Sequence, residues 1–192
     1  MPDSYYHIYN RGVEKRDIFM DDQDYGVFLS YLRKLLTAPK GQSRIQVDNN
    51  FFQQVMLLCY CLMPNHFHLL IKQRNSEAIG KIIKILCTRY SMYFNKKYQR
   101  VGKLFQGVYK AVTVRSEEQL VYLTRYIHTN PKDFTNYKYS SIRNYLKQVN
   151  QVWVEPEPVL SMFSVTNKNL TYTNFLNIKN DNGFLSERML ID

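Results

Sequence analysis

The sequence is poor in cysteine, in acidic side chains and in long hydrophobic runs. Its three cysteines, Cys59, Cys61 and Cys87, are an odd number without framework spacing, which argues against a disulfide scaffold and favours reduced thiols in a core. A metal or redox role for Cys59 and Cys61 is the alternative. The longest apolar run, residues 55–63, is too short to cross a bilayer, and the first residues lack a signal-peptide pattern. We therefore expect a cytoplasmic protein with no membrane partner.

The shortage of acidic residues is concentrated in one part of the chain. There are 26 Lys and Arg against 16 Asp and Glu, a net charge of +10. Residues 72–115 hold eleven basic side chains and one acidic one, so this stretch alone carries a net charge of +10. Such a surface favours a polyanionic partner, and the tyrosines and phenylalanines between the basic residues could stack on unpaired bases. The alternative is a solvated basic helix whose aromatic side chains pack inward.

Hydrophobic residues make up 45% of the 192 residues, enough for the core of one domain. Alternating patterns predict four strands, and three-to-four spacing predicts helices that begin after Asp21, Ser76 and Ser116, each of which can cap a helix. The element order βα–ββα–βα predicts an α+β fold, a ferredoxin-like or RRM-like antiparallel sheet with helices packed on it. The predicted strands cover residues 5–10, 51–62, 66–71 and 108–114.

Two local expectations follow from the same patterns. The centre of the strand at 51–62 is apolar on both faces, which predicts an interior position in the sheet. Residues 41–50 are polar and predict a connecting loop.

Two histidines flank one phenylalanine in the stretch 63–71, Met-Pro-Asn-His-Phe-His-Leu-Leu-Ile. In a strand, His66 and His68 share one face while Phe67 points to the other. Two imidazoles on a stiff strand are the beginning of a divalent-metal site, which needs a third ligand. His7 lies in the aromatic first strand, and we interpret it as a packing or substrate-contacting residue rather than as a metal ligand.

The helix predicted after Ser116 carries two stripes. At about 100° per residue, Leu120, Leu123 and Ile127 form an apolar stripe, while Tyr122, Tyr126 and Asn130 form a second one, displaced from it. His128 lies about 160° around the helix from Tyr126 and should not serve the same centre. Tyr126 could therefore enter a site on the flank of this helix. The alternative is that Tyr126 packs in a half-buried position and Asn130 caps the helix end.

These residues carry a resemblance to a known family. The stretch Pro-Asn-His-Phe-His-Leu-Leu at 64–70 resembles the signature of the HUH (His-hydrophobic-His) endonucleases. More narrowly, the sequence is similar to the IS200-like single-tyrosine transposases, and especially to their REP-associated branch. The similar segments are residues 5–12, 102–106 (Gly-Lys-Leu-Phe-Gln), 126–131 (Tyr-Ile-His-Thr-Asn-Pro) and 139–141 (Tyr-Ser-Ser).

The resemblance implies an HUH endonuclease domain over residues 1–150, followed by a C-terminal extension, 151–192, of unknown role. It implies a Mg²⁺ or Mn²⁺ ion held by His66 and His68, with Asn130 at the position of the third ligand, where insertion-sequence members commonly have glutamine. It also implies that Tyr126 cleaves single-stranded DNA beside a hairpin, forms a 5′-phosphotyrosine and transfers the strand. Both monomers and homodimers occur in such a family.

For DNA contact we expect basic side chains from the first-strand turn and from the basic stretch. The predicted set is Arg11, Lys81, Lys84, Arg89, Lys103, Lys110 and Arg115. Three other functions use part of the same pattern: a catalytically silent nucleic-acid-binding module, a rolling-circle or conjugative nickase, and a zinc hydrolase. The first leaves the His pair and Tyr126 unexplained, the second lacks a helicase segment here, and the third needs another ligand near the His pair.

Overall fold

The computed structural model describes residues 3–39, 50–163 and 171–177. Within these residues the chain forms a four-stranded antiparallel sheet with the strand order β2-β3-β1-β4. The strands are β1 (Ser4–Arg11), β2 (Val55–Met63), β3 (His66–Gln73) and β4 (Lys110–Val114). The longer helices are α1 (Asp22–Leu36), α2 (Ala78–Lys97) and α3 (Glu117–His128). The shorter ones are α4 (Ile142–Tyr145), α5 (Glu157–Leu160) and α6 (Tyr172–Leu176). The predicted element order and the predicted ferredoxin-like α+β architecture are confirmed.

Helices cover both faces of the sheet, and alternate strand residues divide between two hydrophobic clusters. Ile8, Phe67 and Leu69 point to the face covered by α1 and α2. Leu70 and Val114 point to the other face, where they pack with α3 and the short helices. Side chains at β3 positions 66, 68 and 70 therefore share the face that α3 covers.

Two of the predicted helix caps are confirmed, and one is wrong. Asp21 accepts a hydrogen bond from the Asp24 amide (3.1 Å), and Ser116 accepts one from the Gln119 amide (3.2 Å). The second helix does not use Ser76, because it begins at Ala78 after Glu77, whose φ of 68° is left-handed and whose side chain makes no capping bond. The Gln73 side chain accepts from the Ile79 amide instead (3.0 Å), so one free helix amide is satisfied from the end of β3.

The predicted interior position of β2 is wrong, since β2 is an edge strand of the sheet. It is apolar on both faces because helices cover both, and residues 139–141 cover its outer edge. The Leu62 amide donates to the Tyr139 carbonyl (3.0 Å) and the Ser141 amide donates to the Tyr60 carbonyl (3.0 Å). The Tyr60 amide in turn donates to the Ser141 hydroxyl (2.8 Å). The Tyr-Ser-Ser segment thus protects a strand edge that would otherwise be open to another chain.

The described part of the C-terminal extension packs on the same unit. The Trp153 indole stacks on Tyr60 with 5.4 Å between ring centroids. Cys59 and Cys61 are buried and form no disulfide, as predicted for core thiols. No described helix has the length and apolar content to cross a membrane. The loop predicted at 41–50 lies, apart from Asn50, outside the described residues.

Candidate active site

His66 and His68 lie on β3, on the sheet face that α3 covers. Their rings stand nearly perpendicular, at 89°, with 4.9 Å between centroids. His68 is fully buried, whereas His66 is partly exposed. The two imidazoles therefore form a compact pair at the end of the strand where β3 begins.

A polar partner holds the Nδ1 atom of each histidine. Asn65 places its Oδ1 atom 2.6 Å from His66 Nδ1 and donates through Nδ2 to the Lys15 carbonyl (3.2 Å). The Nε2 atom of His7 lies 2.9 Å from His68 Nδ1. The other ring nitrogen of His68, Nε2, is buried and has no hydrogen-bond partner among the described residues. A buried ring nitrogen in this state is suited to binding a ligand that the chain itself does not supply.

The helix α3 brings Tyr126 to this pair. The strand β4 runs away from the histidines, and α3 returns along the sheet, so that the end of the helix reaches the level of His68. The Tyr126 ring lies 5.5 Å from that of His68 and 6.2 Å from that of His7, nearly perpendicular to both. One turn later, the Asn130 side chain hydrogen-bonds to His66. The structure thus brings together all four residues that the sequence proposed for the reacting centre.

His128 lies elsewhere, as the helical geometry predicted. It is fully buried against the short helices, with its Nε2 atom 2.9 Å from the Ser141 hydroxyl and its Nδ1 atom 2.6 Å from the Tyr172 hydroxyl. Burial lowers the pKa of His128 to about 3. His128 anchors α3 rather than serving the site.

The histidine pair is electrically neutral at neutral pH. Burial lowers the pKa of His66; the hydrogen bond with Asn130 opposes this shift and the charge of Arg11 adds to it. Burial, followed by the neighbouring rings of His7 and His66, lowers the pKa of His68 well below its usual 6.5. Neutral imidazoles are the form that binds metal ions.

The donors present fit a divalent cation. The site has two neutral imidazoles, one of them with an unpartnered Nε2 atom, and the side chain of Asn130, which hydrogen-bonds to His66. In the described ranges, no group of three or more His, Cys, Asp or Glu side chains could hold a metal ion. If a metal ion binds, its third ligand would be of another type, such as Asn130 or an oxygen of the substrate. The additional ligand that a zinc hydrolase needs is not found in this part of the chain.

Two of the seven predicted DNA-binding residues lie at the site. Arg11 pairs with His66 across β1 and β3, and its guanidinium donates to Gln106 Oε1 (2.6 Å). The Lys110 ammonium lies 5.7 Å from the centre of the Tyr9 ring, which is 6.2 Å from that of His68. Both basic residues therefore adjoin the histidine pair.

The other five lie further from the histidines. Lys103 is exposed in the segment 102–106, which is tied to the end of β1 by the bond from the Gln106 amide to the Arg11 carbonyl (2.9 Å). Arg115 follows β4 at the opposite end of the sheet. Lys81, Lys84 and Arg89 are exposed on α2, across the sheet from Tyr126, where they border a shallow depression of about 390 Å³.

The aromatic side chains of the basic stretch mostly pack inward. Tyr90 and Phe94 are buried in the core, and Tyr93 and Tyr98 donate hydrogen bonds to the Asp24 carboxylate. The expectation that these rings stack on bases is wrong for Tyr90 and Phe94, because fully buried rings cannot reach a nucleic acid. The alternative, a basic helix with an aromatic inner face, is confirmed there.

Two contacts of the site are absent from the sequence-based prediction. One is the hydrogen bond between Asn65 and His66. The sequence carried a signal for it, because Asn65 directly precedes His66 and its side chain is an amide. The other is the bond of His7 to His68. The alternation of residues 5–9 places His7 on one face of a strand, but its partner depends on the pairing of β1 with β3, for which the sequence carries no separate signal.

Two solved structures are similar to this chain. The structure of a REP-associated tyrosine transposase bound to a REP hairpin has a similar fold, with a TM-score of 0.55 and 11% identity over 89% of this chain and 92% of that chain. A protein of Deinococcus radiodurans R1 assigned as a transposase matches with a TM-score of 0.42 and 19% identity over 64% of this chain and 87% of that chain. No curated protein matches the sequence.

The sequence itself matches a family over the part that builds the site. The model of the family described as "Transposase IS200 like" matches residues 2–130, from the start of β1 to Asn130. This is well over half of the chain, and it includes the histidine pair and Tyr126. The chain therefore belongs to the IS200-like family of transposases.

Proposed function

We propose that this transposase cleaves and rejoins single-stranded DNA through a covalent bond to Tyr126, assisted by a Mg²⁺ or Mn²⁺ ion that His66, His68 and Asn130 hold. The observation that supports the proposal is that Tyr126, the two histidines and Asn130 lie close together within one chain. The Tyr126 ring lies 5.5 Å from the His68 ring, and Asn130, one turn later on the chain, hydrogen-bonds to His66.

The reaction is a transesterification. The hydroxyl oxygen of Tyr126 attacks the scissile phosphorus and gives up its proton to solvent, while the bond from phosphorus to the 3′-oxygen breaks and that oxygen takes up a proton. The products are a 5′-phosphotyrosine and a free 3′-hydroxyl. Attack on the phosphotyrosine by a 3′-hydroxyl restores a phosphodiester and releases Tyr126, so that a strand is transferred without a separate energy source.

The chain's own groups position the phosphate. When bound, the divalent ion supplies Lewis-acid polarisation of the scissile phosphate. Arg11 and Lys110 flank the histidines and would contact neighbouring phosphates, which fixes the register of the strand without reading its sequence. The REP-associated transposase of similar fold was solved with a hairpin. We propose a hairpin next to the cleaved strand for this chain also.

The proposal is tested with a labelled oligonucleotide that carries a hairpin and a single-stranded flank. Incubation with Mn²⁺ or Mg²⁺ is expected to yield a protein–DNA adduct on a denaturing gel, and Tyr126→Phe is expected to yield none because the attacking oxygen is missing. Tyr122→Phe is the matched control, since Tyr122 lies one turn earlier on α3 and packs against Phe175, with 5.4 Å between ring centroids. It should form the adduct as the wild type does.

Each part of the proposal has its own contradictory outcome. An adduct that persists in Tyr126→Phe would show that another residue is the nucleophile. An adduct that forms equally well in EDTA would remove the metal role of His66 and His68. Binding of the hairpin with no adduct under any divalent ion would favour a silent nucleic-acid-binding module. Cleavage without rejoining, after addition of a strand with a free 3′-hydroxyl, would favour a nickase.

A further inference from the structure

His7 contacts the least accessible member of the histidine pair. Both His7 and His68 have 0% of their surface exposed. Their rings lie nearly parallel, at 17°, with 5.1 Å between centroids, and His7 Nε2 is 2.9 Å from His68 Nδ1. A contact of this length between two ring nitrogens is a hydrogen bond, and one of the two imidazoles must donate it.

The direction of this bond decides what the opposite side of the His68 ring can do. If His7 donates, the neutral His68 ring carries its proton on Nε2. A protonated Nε2 atom has no lone pair in the plane of the ring and could not bind a metal ion. If His68 donates from Nδ1, its Nε2 atom carries a free lone pair. In the second arrangement the Nε2 atom, which has no hydrogen-bond partner among the described residues, is the form of the ring nitrogen that a cation needs.

We propose that His7 is a positioning residue, which accepts the Nδ1–H bond of His68 and so holds that ring in the tautomer and orientation whose Nε2 can ligate a divalent cation. Metal-binding histidines commonly donate their second N–H to a fixed acceptor, and loss of that acceptor typically weakens the metal affinity about 10–100-fold. Here the acceptor is an imidazole on the neighbouring strand β1. The direction of the hydrogen bond and the identity of the ligand both rest on the proposed function, because the metal role of His68 Nε2 selects the direction.

Two substitutions at position 7 separate positioning from packing. In His7→Gln the side-chain amide can place an oxygen near the position of Nε2 and keep the acceptor. In His7→Leu the space is filled by a side chain that accepts no hydrogen bond. The binding of Mn²⁺ alone is measured from the EPR signal of the free ion, with thermal unfolding in EDTA to verify that each variant is folded.

We expect His7→Leu to lose about 10–100-fold in Mn²⁺ affinity and His7→Gln to stay within about three-fold of the wild type. Unchanged affinity in the folded His7→Leu variant would overturn the proposal. An equal loss in both folded variants would also overturn it, because His7 would then act through its shape rather than through its acceptor.

A second measurement needs neither metal nor DNA. Long-range ¹H–¹⁵N NMR spectra of the metal-free, ¹⁵N-labelled chain report which nitrogen of each neutral ring carries the proton. We expect His68 to be protonated on Nδ1, and protonation on Nε2 would overturn the proposal even if no variant folds. If His68 shows the expected tautomer but no DNA adduct forms, the role of His7 is supported and the proposed function is contradicted. If an adduct forms but His68 is protonated on Nε2, the proposed function is supported and the role of His7 is contradicted.

Discussion

At the scale of single residues, Asp24 is the carboxylate on which the packing of α1 against α2 depends. Its side chain has no exposed surface and accepts hydrogen bonds from the Met20 amide (2.8 Å), the Lys97 ammonium (2.8 Å) and the hydroxyls of Tyr98 (2.8 Å) and Tyr93 (2.9 Å). Burial opposes ionisation, but Lys97 and then the other donors outweigh it and lower the pKa of Asp24. The end of the basic helix is thus bound to α1 through a buried carboxylate, and Lys97 also pairs with Asp21, the cap of α1 (2.7 Å).

Replacing Asp24 should therefore destabilise the fold. We expect Asp24→Ala to reduce the free energy of unfolding by about 3 kcal/mol, because it leaves Lys97 and two tyrosine hydroxyls without their common acceptor. Urea unfolding at pH 7 measures the change. The matched control is Asp22→Ala, which removes an exposed carboxylate paired with the exposed Lys138 and should have a much smaller effect. Equal losses in the two variants would contradict the assigned role of Asp24.

The same carboxylate predicts a pH dependence. Its native pKa is lowered, so as the pH falls the unfolded chain binds the proton first and the native state loses stability. The contribution of Asp24 is complete above the unfolded pKa of about 3.9 and disappears as the pH falls through the lowered native pKa. Asp24→Asn should therefore show a shallower loss of stability in acid than the wild type. Parallel pH profiles from urea unfolding would contradict this prediction.

At the scale of elements, α3 is fixed from the side opposite Tyr126. His128 is held between Ser141, which also binds the edge of β2, and Tyr172 of α6. The Arg125 guanidinium lies 5.5 Å from the centre of the Phe175 ring. The position of Tyr126 therefore depends on chain segments that follow α3, and the Tyr-Ser-Ser segment supports both β2 and α3.

The basic elements lie on two sides of the sheet, and this division predicts different effects on DNA. Lys110 of β4 lies beside the histidines, while Lys84 of α2 lies across the sheet from them. If both contact phosphates, each alanine variant should lower the salt slope of hairpin binding by about 1. At saturating DNA only Lys110→Ala should slow adduct formation, because only Lys110 is near the reacting centre. Equal slowing by Lys84→Ala would contradict this division.

At the scale of the whole molecule, the tyrosine and the histidine pair of the candidate site belong to the same chain. The rings of Tyr126 and His68 lie 5.5 Å apart within the chain. We therefore expect cleavage to occur in cis, whether the chain is a monomer or a homodimer in solution.

Mixing two inactive variants tests this expectation. His68→Ala keeps the proposed nucleophile but lacks a proposed metal ligand. Tyr126→Phe keeps the proposed metal ligands but lacks the nucleophile. If each chain uses its own tyrosine, a mixture of the two should form no adduct with the labelled hairpin, after co-expression as well as after mixing of the pure proteins. A mixture of His68→Ala with wild type controls for inhibition by the inactive chain. Adduct formed by the two inactive variants together would show that the tyrosine acts in trans.

Much of this architecture is predictable because its signals are local. Alternation predicts β3, helical spacing predicts α3, and the capping side chains of Asp21 and Ser116 predict where two helices begin. The same arithmetic places Asn130 on the stripe of Tyr126, but α3 ends at His128 and Asn130 follows the helix. These predictions depend only on residues close in sequence, whose geometry the backbone dictates.

Other features required contacts that are distant in sequence. The apolar pattern of β2 is the same for an interior strand and for an edge strand covered by residues 139–141, so the sequence predicted the wrong position. The start of α2 depends on Gln73, which reaches over from β3. The charge of the basic stretch predicted an anionic partner, but the same charge on α2 faces away from Tyr126.

The sequence by itself determined the strand that carries His66 and His68, the helix face that carries Tyr126, and the exclusion of His128 from that face. Strand and helix periodicity are properties of the local backbone, and they decide which side chains share a face. Only the tertiary structure decided that α3 places Tyr126 over this histidine pair and that His7 on β1 meets His68. Both contacts result from strand pairing and helix packing between segments far apart in the chain, because only the folded sheet brings those segments to one place.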